Sequence, residues 1–247
     1  MITKNTVKFI QSLKQQKYRK EHQLFVVEGR KMVDELLRSP FEISYLLVTE
    51  KFVGEHPMDD PRMEYVTEVQ MEQMSGQDTP PGILAVARIP EMKIKEEGRI
   101  VLALDGISNP GNMGTIIRTA EWFGVRQIVC SEDCVEAWNP KVIQATMGSI
   151  FRMSVVYTDL GRYLEAAKRN GKAVYGALLE GENLFRKEGR WDDGVIVIGS
   201  ESHGIRSAIL PFITHPITIP RAEGSVTESL NASMATGIIL AAFSMNS

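Results

Sequence analysis

The stretch Val195-Ile-Val-Ile-Gly-Ser-Glu-Ser-His-Gly204 joins an uninterrupted apolar run to a polar loop bounded by glycines. Four consecutive β-branched residues are typical of a strand that is buried on both faces, as in a parallel sheet. In such a sheet, ligands bind beyond the carboxyl ends of the strands. This stretch therefore predicts an α/β fold with a candidate binding loop at residues 199–204.

Strand and helix patterns alternate on both sides of this stretch, from residue 99 onward. The predicted strands cover residues 100–104, 127–130, 153–156, 173–177, 195–198 and 216–219. The predicted helices cover residues 113–123, 141–147, 160–169 and 230–245. Such alternation predicts a parallel sheet with helices on both faces.

The first 90 residues have a different pattern, which predicts a smaller α/β unit. Val7, Ile10 and Leu13 give the first helix one apolar face. Thr67 and Gln70 have the spacing of a capping box, which predicts a helix start there. Predicted strands cover residues 24–27, 43–48 and 83–87. The charged segment 91–98 is interpreted as a linker, so the predicted domains are 1–90 and 99–247.

The distribution of charge is more informative than the net charge of -3, which is not that of a generic nucleic-acid binder. Residues 1–20 contain six basic residues and no acid, whereas residues 50–78 are rich in acids. This asymmetry favours a polyanion-binding surface, with a solvated helix face as the equal alternative. The six basic residues are Lys4, Lys8, Lys14, Lys17, Arg19 and Lys20.

Composition and cysteine usage narrow the class of protein. Hydrophobic residues make up 43% and charged residues 24%, which excludes a disordered or collagen-like chain. Cys130 and Cys134 do not have the C-x-x-C spacing of zinc or redox sites, and Cys130 is expected to be a buried thiol. Neither a signal-peptide core nor a long apolar span is present. A cytoplasmic protein is therefore expected.

Three polar loops at predicted strand ends carry the candidate site residues. In the first, residues 105–114, Asn112 lies near a helix start and Arg118 nearly two turns further on. Apolar neighbours predict that Arg118 is partly buried and needs an anionic partner. An ordinary glycine-rich turn remains the alternative, because the loop matches neither a P-loop nor G-x-G-x-x-G.

The second and third loops also allow two interpretations each. Glu201 follows a predicted strand and is either a site residue or a carboxylate that favours the positive end of a helix. His203 is expected to be peripheral. In the third loop, residues 219–231, Ser229 or Asn231 is expected to cap the last helix. Asn231 could cap the helix with one side-chain polar atom and act in the site with the other.

Three ordered motifs resemble those of the SpoU (TrmH-like) family of RNA ribose 2′-O-methyltransferases, in the SPOUT class. They are Asn112-Met-Gly-Thr-Ile-Ile-Arg118, Ile198-Gly-Ser-Glu-Ser-His-Gly204, and Ile219-Pro220 followed by Ser229-Leu-Asn231. Phe25-Val-Val-Glu-Gly29 and Gly82-Ile-Leu-Ala-Val86 are similar to that family's substrate-binding domain. The resemblance covers nearly the whole chain. It implies a C-terminal domain with a trefoil knot and an L30e-like N-terminal domain that binds RNA.

The resemblance also implies the chemistry. S-adenosyl-L-methionine would be the cofactor, held by backbone near Gly199, Ile219 and Leu230, with no metal. The partners would be RNA, with rRNA favoured over tRNA, and a second copy of the chain in a homodimer. The implied catalytic residues are Asn112, Arg118, Glu201, Ser229 and Asn231. Among them, Asn112 and Asn231 would orient groups, and Glu201 would face the sulfonium or hold Arg118.

One loop departs from the family pattern, and alternative functions are considered beside the one that the resemblance implies. The loop 221–228 is slightly longer than the family pattern, with additional acids at Glu223 and Glu228. A catalytically silent RNA-binding relative is the principal alternative function. An NAD-binding enzyme is disfavoured by the lack of a dinucleotide fingerprint, and base-nitrogen methylation by the ribose-type motifs.

Overall fold

The structure is a computed structural model that describes residues 2–95, 98–185 and 191–244. Glu96 and Glu97 of the predicted linker lie outside this part of the chain, as does Met245 at the predicted end of the last helix.

The helices and strands follow in chain order. The elements up to residue 88 are α1 (Lys4–Ser12), α2 (Gln16–His22), β1 (Leu24–Glu28), α3 (Arg30–Leu37), β2 (Ile43–Val48), α4 (Glu50–Glu55), β3 (Met63–Tyr65), α5 (Glu68–Met74) and β4 (Ile83–Arg88). The elements from residue 100 are β5 (Ile100–Asp105), α6 (Pro110–Trp122), β6 (Gln127–Ser131), α7 (Pro140–Thr146), β7 (Ser154–Thr158), α8 (Leu160–Arg169), β8 (Ala173–Asn183), β9 (Gly194–Gly199), β10 (His215–Thr218) and α9 (Ala232–Ser244).

The chain folds into two compact units, and each unit is formed by two separate segments of the sequence. The first unit comprises Met1–Glu91 and Glu136–Phe151. The second comprises Met92–Val135 and Arg152–Ser247. The segment that carries α7 therefore belongs to the first unit, although it lies within the predicted residues 99–247.

The first unit is built on a mixed sheet in the order β1-β4-β2-β3. β4 is antiparallel to β1 and β2, whereas β2 and β3 are parallel. Val7, Ile10 and Leu13 are buried in its core, which confirms the apolar face predicted for the first helix. The predicted capping box is also confirmed: the Gln70 backbone N–H donates to Thr67 Oγ1 at 3.2 Å, and the Thr67 N–H donates to Gln70 Oε1 at 3.0 Å.

The second unit is built on a sheet in the order β10-β8-β9-β5-β6-β7, in which every neighbouring pair is parallel. Val195, Ile196 and Val197 are fully buried in β9 near its centre. Their burial explains why this strand is a continuous β-branched run. The predicted α/β fold with a parallel sheet is thus confirmed, whereas the knot and the L30e likeness remain predictions.

Aromatic packing holds the last helix against this sheet. The rings of Phe243 and Trp191 are stacked with centroids 4.9 Å apart, and Phe243 meets Tyr175 edge-on at 5.0 Å. α9 also packs against α6, where a Cβ on Gly237 would lie 3.7 Å from Thr119 Cγ2. α9 is therefore held beside α6. None of the helices in the described ranges has both the length and the apolar character needed to cross a bilayer.

Candidate active site

The first predicted site loop ends in a well-capped helix. Asn109 Oδ1 accepts hydrogen bonds from the backbone N–H groups of Gly111 and Asn112, at 2.8 and 3.1 Å. Pro110 occupies the first helical position, where its missing N–H costs nothing. α6 therefore begins at Pro110 rather than at the predicted Met113, because the cap precedes the apolar pattern. Asn112 lies in the first turn of the helix.

Three predicted site residues from three different loops form one hydrogen-bonded chain. Asn231 Nδ2 donates to Asn112 Oδ1 at 3.0 Å. Asn112 Nδ2 in turn donates to the Glu201 carboxylate. The bond to a carboxylate is charge-assisted and fixes the orientation of the Asn112 amide. We name these three residues the Asn–Asn–Glu chain.

The other end of the Asn231 amide caps the last helix. Asn231 Oδ1 accepts from the backbone N–H groups of Ser233 and Met234, at 3.0 and 3.3 Å. This confirms that a predicted cap is present, and it is Asn231 rather than Ser229. The position of the Asn–Asn–Glu chain is therefore coupled to the start of α9.

A cavity of about 860 Å³ opens beside this chain. Its volume is that of a typical small-molecule site. Its apolar wall includes Leu178, Ile198, Ile217 and Ile239. Its lining also contains five of the predicted site residues, namely Gly199, Glu201, Ile219, Ser229 and Leu230. The cavity thus combines apolar walls with a carboxylate and backbone polar groups.

Arg118 lies elsewhere on the surface, and the prediction that it is partly buried is wrong. Its side chain is exposed, and in the described residues no hydrogen bond or ion pair involves its guanidinium. The apolar neighbours that suggested burial point to other sides of the helix, since adjacent positions are about 100° apart. Arg118 instead shares a face with Trp122, which is 85% exposed. Glu201 contacts Asn112 and not Arg118.

Sequence reasoning missed two charged residues at the base of the site. Asp105 ends β5 and is fully buried, and it forms an ion pair with Arg206, which follows the Glu201 loop. The only sequence signal was an acid at the end of an apolar strand. Its partner is 101 positions away, so the pair could be recognised only from the fold.

Two buried thiols lie near the first loop, at the end of β6. The Cys134 Sγ accepts a hydrogen bond from the Ile107 N–H at 3.2 Å. Hydrogen bonds from the Cys130 thiol, the Ser131 hydroxyl and the Ile107 N–H lower the pKa of Cys134 to about 7, against the opposing effect of burial. Cys130 is fully buried, which confirms the predicted buried thiol, and burial raises its pKa.

His203, in the loop that carries Glu201, is exposed. Its Nδ1 forms a hydrogen bond with Ser202 Oγ at 2.7 Å.

Two protein-family matches together cover most of the chain. Residues 99–241 match the SpoU rRNA Methylase family, and residues 4–85 match the MRM3-like substrate binding domain. The first match alone spans more than half of the chain.

Individual proteins are similar over nearly the full length. The chain is 29% identical to the 23S rRNA (guanosine(2553)-2′-O)-methyltransferase RlmP of Bacillus subtilis, over 95% of this chain and 94% of that protein. It is 28% identical to the mitochondrial rRNA methyltransferase 3 of Xenopus laevis, over 96% of this chain and 73% of that protein.

Solved structures have the same fold. A TrmH-family protein from Porphyromonas gingivalis superposes with a TM-score of 0.90 and 34% identity, with full coverage of both chains. The AdoMet-bound rRNA methyltransferase of Sinorhizobium meliloti superposes with a TM-score of 0.84 and 25% identity, over 98% of this chain and 95% of that one. On the family match, supported by these similarities, the chain belongs to the SpoU rRNA methylase family.

Proposed function

We propose that the protein transfers a methyl group from S-adenosylmethionine to a ribose 2′-hydroxyl of ribosomal RNA. The observation that carries the proposal is the Asn–Asn–Glu chain. In it, Asn112 of the first motif is hydrogen-bonded to one residue from each of the other two motifs, beside a ligand-sized cavity. The names of the relatives support ribosomal RNA as the substrate class and the ribose 2′-oxygen as the acceptor.

The cavity residues fit S-adenosylmethionine. The apolar wall suits a purine ring, and backbone groups at Gly199, Ile219 and Leu230 would hold it. Glu201 adds a carboxylate to the lining, which favours a ligand that carries a positive charge. When bound there, the cofactor would supply the methyl group from its sulfonium centre. No metal is needed for this transfer.

Arg118 would act on the ribose. An arginine is always protonated at physiological pH, so it cannot accept the hydroxyl proton. Its guanidinium would bind a neighbouring phosphate and stabilise the negative charge that develops on the 2′-oxygen as the proton leaves to solvent. The free, exposed position of Arg118 suits contact with RNA from outside the cavity. Ser229 and the Asn–Asn–Glu chain would orient the reacting groups.

The first unit would bind the RNA. Lys4, Lys8, Lys17 and Lys20 are exposed on α1 and α2. Arg19 does not belong to this surface, because it is 1% exposed and pairs with Glu136 at 2.7 Å. The rings of Tyr18 and His22 are stacked beside these lysines, with centroids 6.4 Å apart. Cations with flanking aromatic rings suit a single-stranded nucleic acid. This surface supports residues 1–90 as the RNA-binding domain, with the methyltransferase domain at 99–247.

The protein would act as a cytoplasmic homodimer with a knotted second unit. Trp122 on α6 and Met234 on α9 are 85% and 61% exposed, although both are large and apolar. A second copy that covers Trp122 would bring its own residues near Arg118, which lies one turn before Trp122 on α6. The buried free thiols Cys130 and Cys134 suit a reducing compartment. Light scattering of the wild type and of Trp122→Ala tests the dimer, which the substitution should weaken.

A binding and transfer experiment tests the proposed function. Calorimetry measures S-adenosylmethionine binding, and methyl-labelled cofactor is then incubated with unmodified transcripts of ribosomal RNA or of tRNA. The proposal predicts saturable binding and label in ribosomal RNA. Binding without transfer to either RNA would favour the catalytically silent relative, and label confined to tRNA would refute the substrate class.

A further inference from the structure

The only fully buried acid of the described residues, Asp105, is held almost entirely by one arginine. Its Oδ2 accepts from the Arg206 backbone N–H at 2.8 Å, and its Oδ1 accepts from Arg206 Nε at 2.6 Å. Arg206 Nη2 also forms an ion pair with the same carboxylate. A carboxylate with no exposed surface needs such partners, because burial of an unpaired charge is costly.

This ion pair lies at the start of the loop that carries Asn112 and just after the end of the loop that carries Glu201. Asp105 is the last residue of β5 and lies opposite Gly199, the last residue of β9. From Asp105 the chain continues to α6 and Asn112. From Gly199 it continues through Glu201 to Arg206. A single ion pair therefore connects the loop that carries Asn112 with the loop that carries Glu201.

The Glu201 loop is closed at its base as well. The Ser200 N–H donates to the Gly204 carbonyl at 3.1 Å, and the Gly204 N–H donates to the Ser200 carbonyl at 2.8 Å. The closure is so tight that a Cβ on Gly199 would lie 2.0 Å from the Gly204 carbonyl carbon. The loop is therefore closed on itself between Ser200 and Gly204, and Arg206 follows it by two residues.

The Arg206 side chain is fixed rather than free to move. It is 44% exposed, yet its Nη1 also contacts Asp133 Oδ2 at 3.1 Å. Buried ion pairs commonly add little net stability compared with apolar residues of the same size. A pair of this kind at the ligand-binding edge of the sheet is better explained by the geometry that it imposes.

We propose that Arg206 is a positioning residue for methyl transfer: through buried Asp105 it holds Glu201 in contact with Asn112. The inference rests on the proposed function of the site. Arg206 is not among the residues that line the cavity. Loss of its side chain should let the Glu201 loop shift, and small displacements of positioned groups cost up to about 100-fold in rate.

The test compares Arg206→Met with Arg162→Met, a matched control in an exposed ion pair on α8 in which Arg162 is 88% exposed. We expect Arg206→Met to lower kcat/KM for S-adenosylmethionine by roughly 10- to 100-fold, with the KM for RNA unchanged. Arg162→Met should keep wild-type values. Arg206→Lys retains the charge beside Asp105 without the planar fork, so it should fold and show an intermediate loss.

A double substitution separates positioning from general stability. In a Glu201→Ala background, Arg206→Met should lower kcat/KM for S-adenosylmethionine by less than about threefold, because the side chain that it positions is absent. Equal losses in both backgrounds would overturn the inference, as would wild-type kinetics in Arg206→Met or, if that variant does not fold, in Arg206→Lys. A wild-type protein that binds no S-adenosylmethionine would overturn the proposed function and this inference together.

Discussion

Asn231 has two functions, and two substitutions separate them. Its Oδ1 caps α9 through two backbone N–H groups, and its Nδ2 donates to Asn112 at 3.0 Å. Asn231→Ala removes both functions. Asn231→Ser keeps an oxygen that can cap the helix, since serine caps helices about as well as asparagine, but it lacks the amide donor.

The expected magnitudes differ for the two variants. Loss of the cap costs about 1 kcal/mol, which lowers the Tm of a domain of this size by roughly 2–4 °C. Asn231→Ser keeps the cap and should therefore melt at a higher temperature than Asn231→Ala. Both variants lose the bond to the Asn112 amide, a neutral hydrogen bond worth about 1 kcal/mol. If the misoriented Asn112 amide raises the transition state by that amount relative to the free enzyme, kcat/KM falls roughly fivefold in both variants.

Calorimetry and steady-state methyl transfer give the two readouts. Asp159→Ala is the matched control, because Asp159 caps α8 of the same unit and has no contact with the Asn–Asn–Glu chain. It should lower Tm and leave kcat/KM unchanged. Wild-type kcat/KM in Asn231→Ser would refute the role assigned to the Asn112 contact. A matching loss of kcat/KM in Asp159→Ala would show that stability alone explains the effect.

Three further predictions concern other parts of the chain. Arg118→Ala should lower kcat at least about 100-fold with little change in S-adenosylmethionine affinity, because an electrostatic stabiliser acts mainly in the transition state; near-wild-type kcat would contradict the role. Replacement of Lys17 and Lys20 by glutamine should reduce the slope of log K for RNA against log salt by about 1–2, measured by filter binding; an unchanged slope would remove α2 from the RNA surface. The pKa of Cys134 is lowered from 9.0 to about 7 on folding, so thiolate formation adds stability that is complete above pH 9 and is lost as the pH falls through 7. In urea unfolding, the wild type should accordingly gain stability over Cys134→Ser between pH 7 and 9, and parallel pH profiles would contradict this.

The parallel sheet and a helix cap could be predicted because the signals are local. The β-branched run at residues 195–198 reflects burial on both faces, and the structure places it in β9. Ser229 and Asn231 could both be predicted as caps of the apolar helical run that follows, and the structure has Asn231 in that position. The rule that ligands bind beyond the carboxyl ends of parallel strands marked the three loops as candidates. The contact between Glu201 and Asn112 was not predicted, since Glu201 was expected to face the sulfonium or to hold Arg118.

Other features could not be read from neighbouring residues. Arg118 was expected to be partly buried because its sequence neighbours are apolar, but the helical period turns it outward with Trp122. Asp105 and Arg206 are far apart in sequence, and no periodic pattern marks a pair whose contact depends on strand order. Arg19 looked like one more exposed cation, yet Glu136 and the carbonyls of Leu13 and Lys14 hold it in the interior of the first unit.

The position of the transferred methyl group tests the proposed reaction most directly. Ribosomal RNA labelled by the wild-type protein is digested to nucleosides, which are separated and identified by mass spectrometry, with Arg118→Ala protein as the comparison. The account predicts that the label is recovered as one 2′-O-methylnucleoside and that the Arg118→Ala reaction yields little of it. Label on a base, or equal 2′-O-methylation by both proteins, would contradict it.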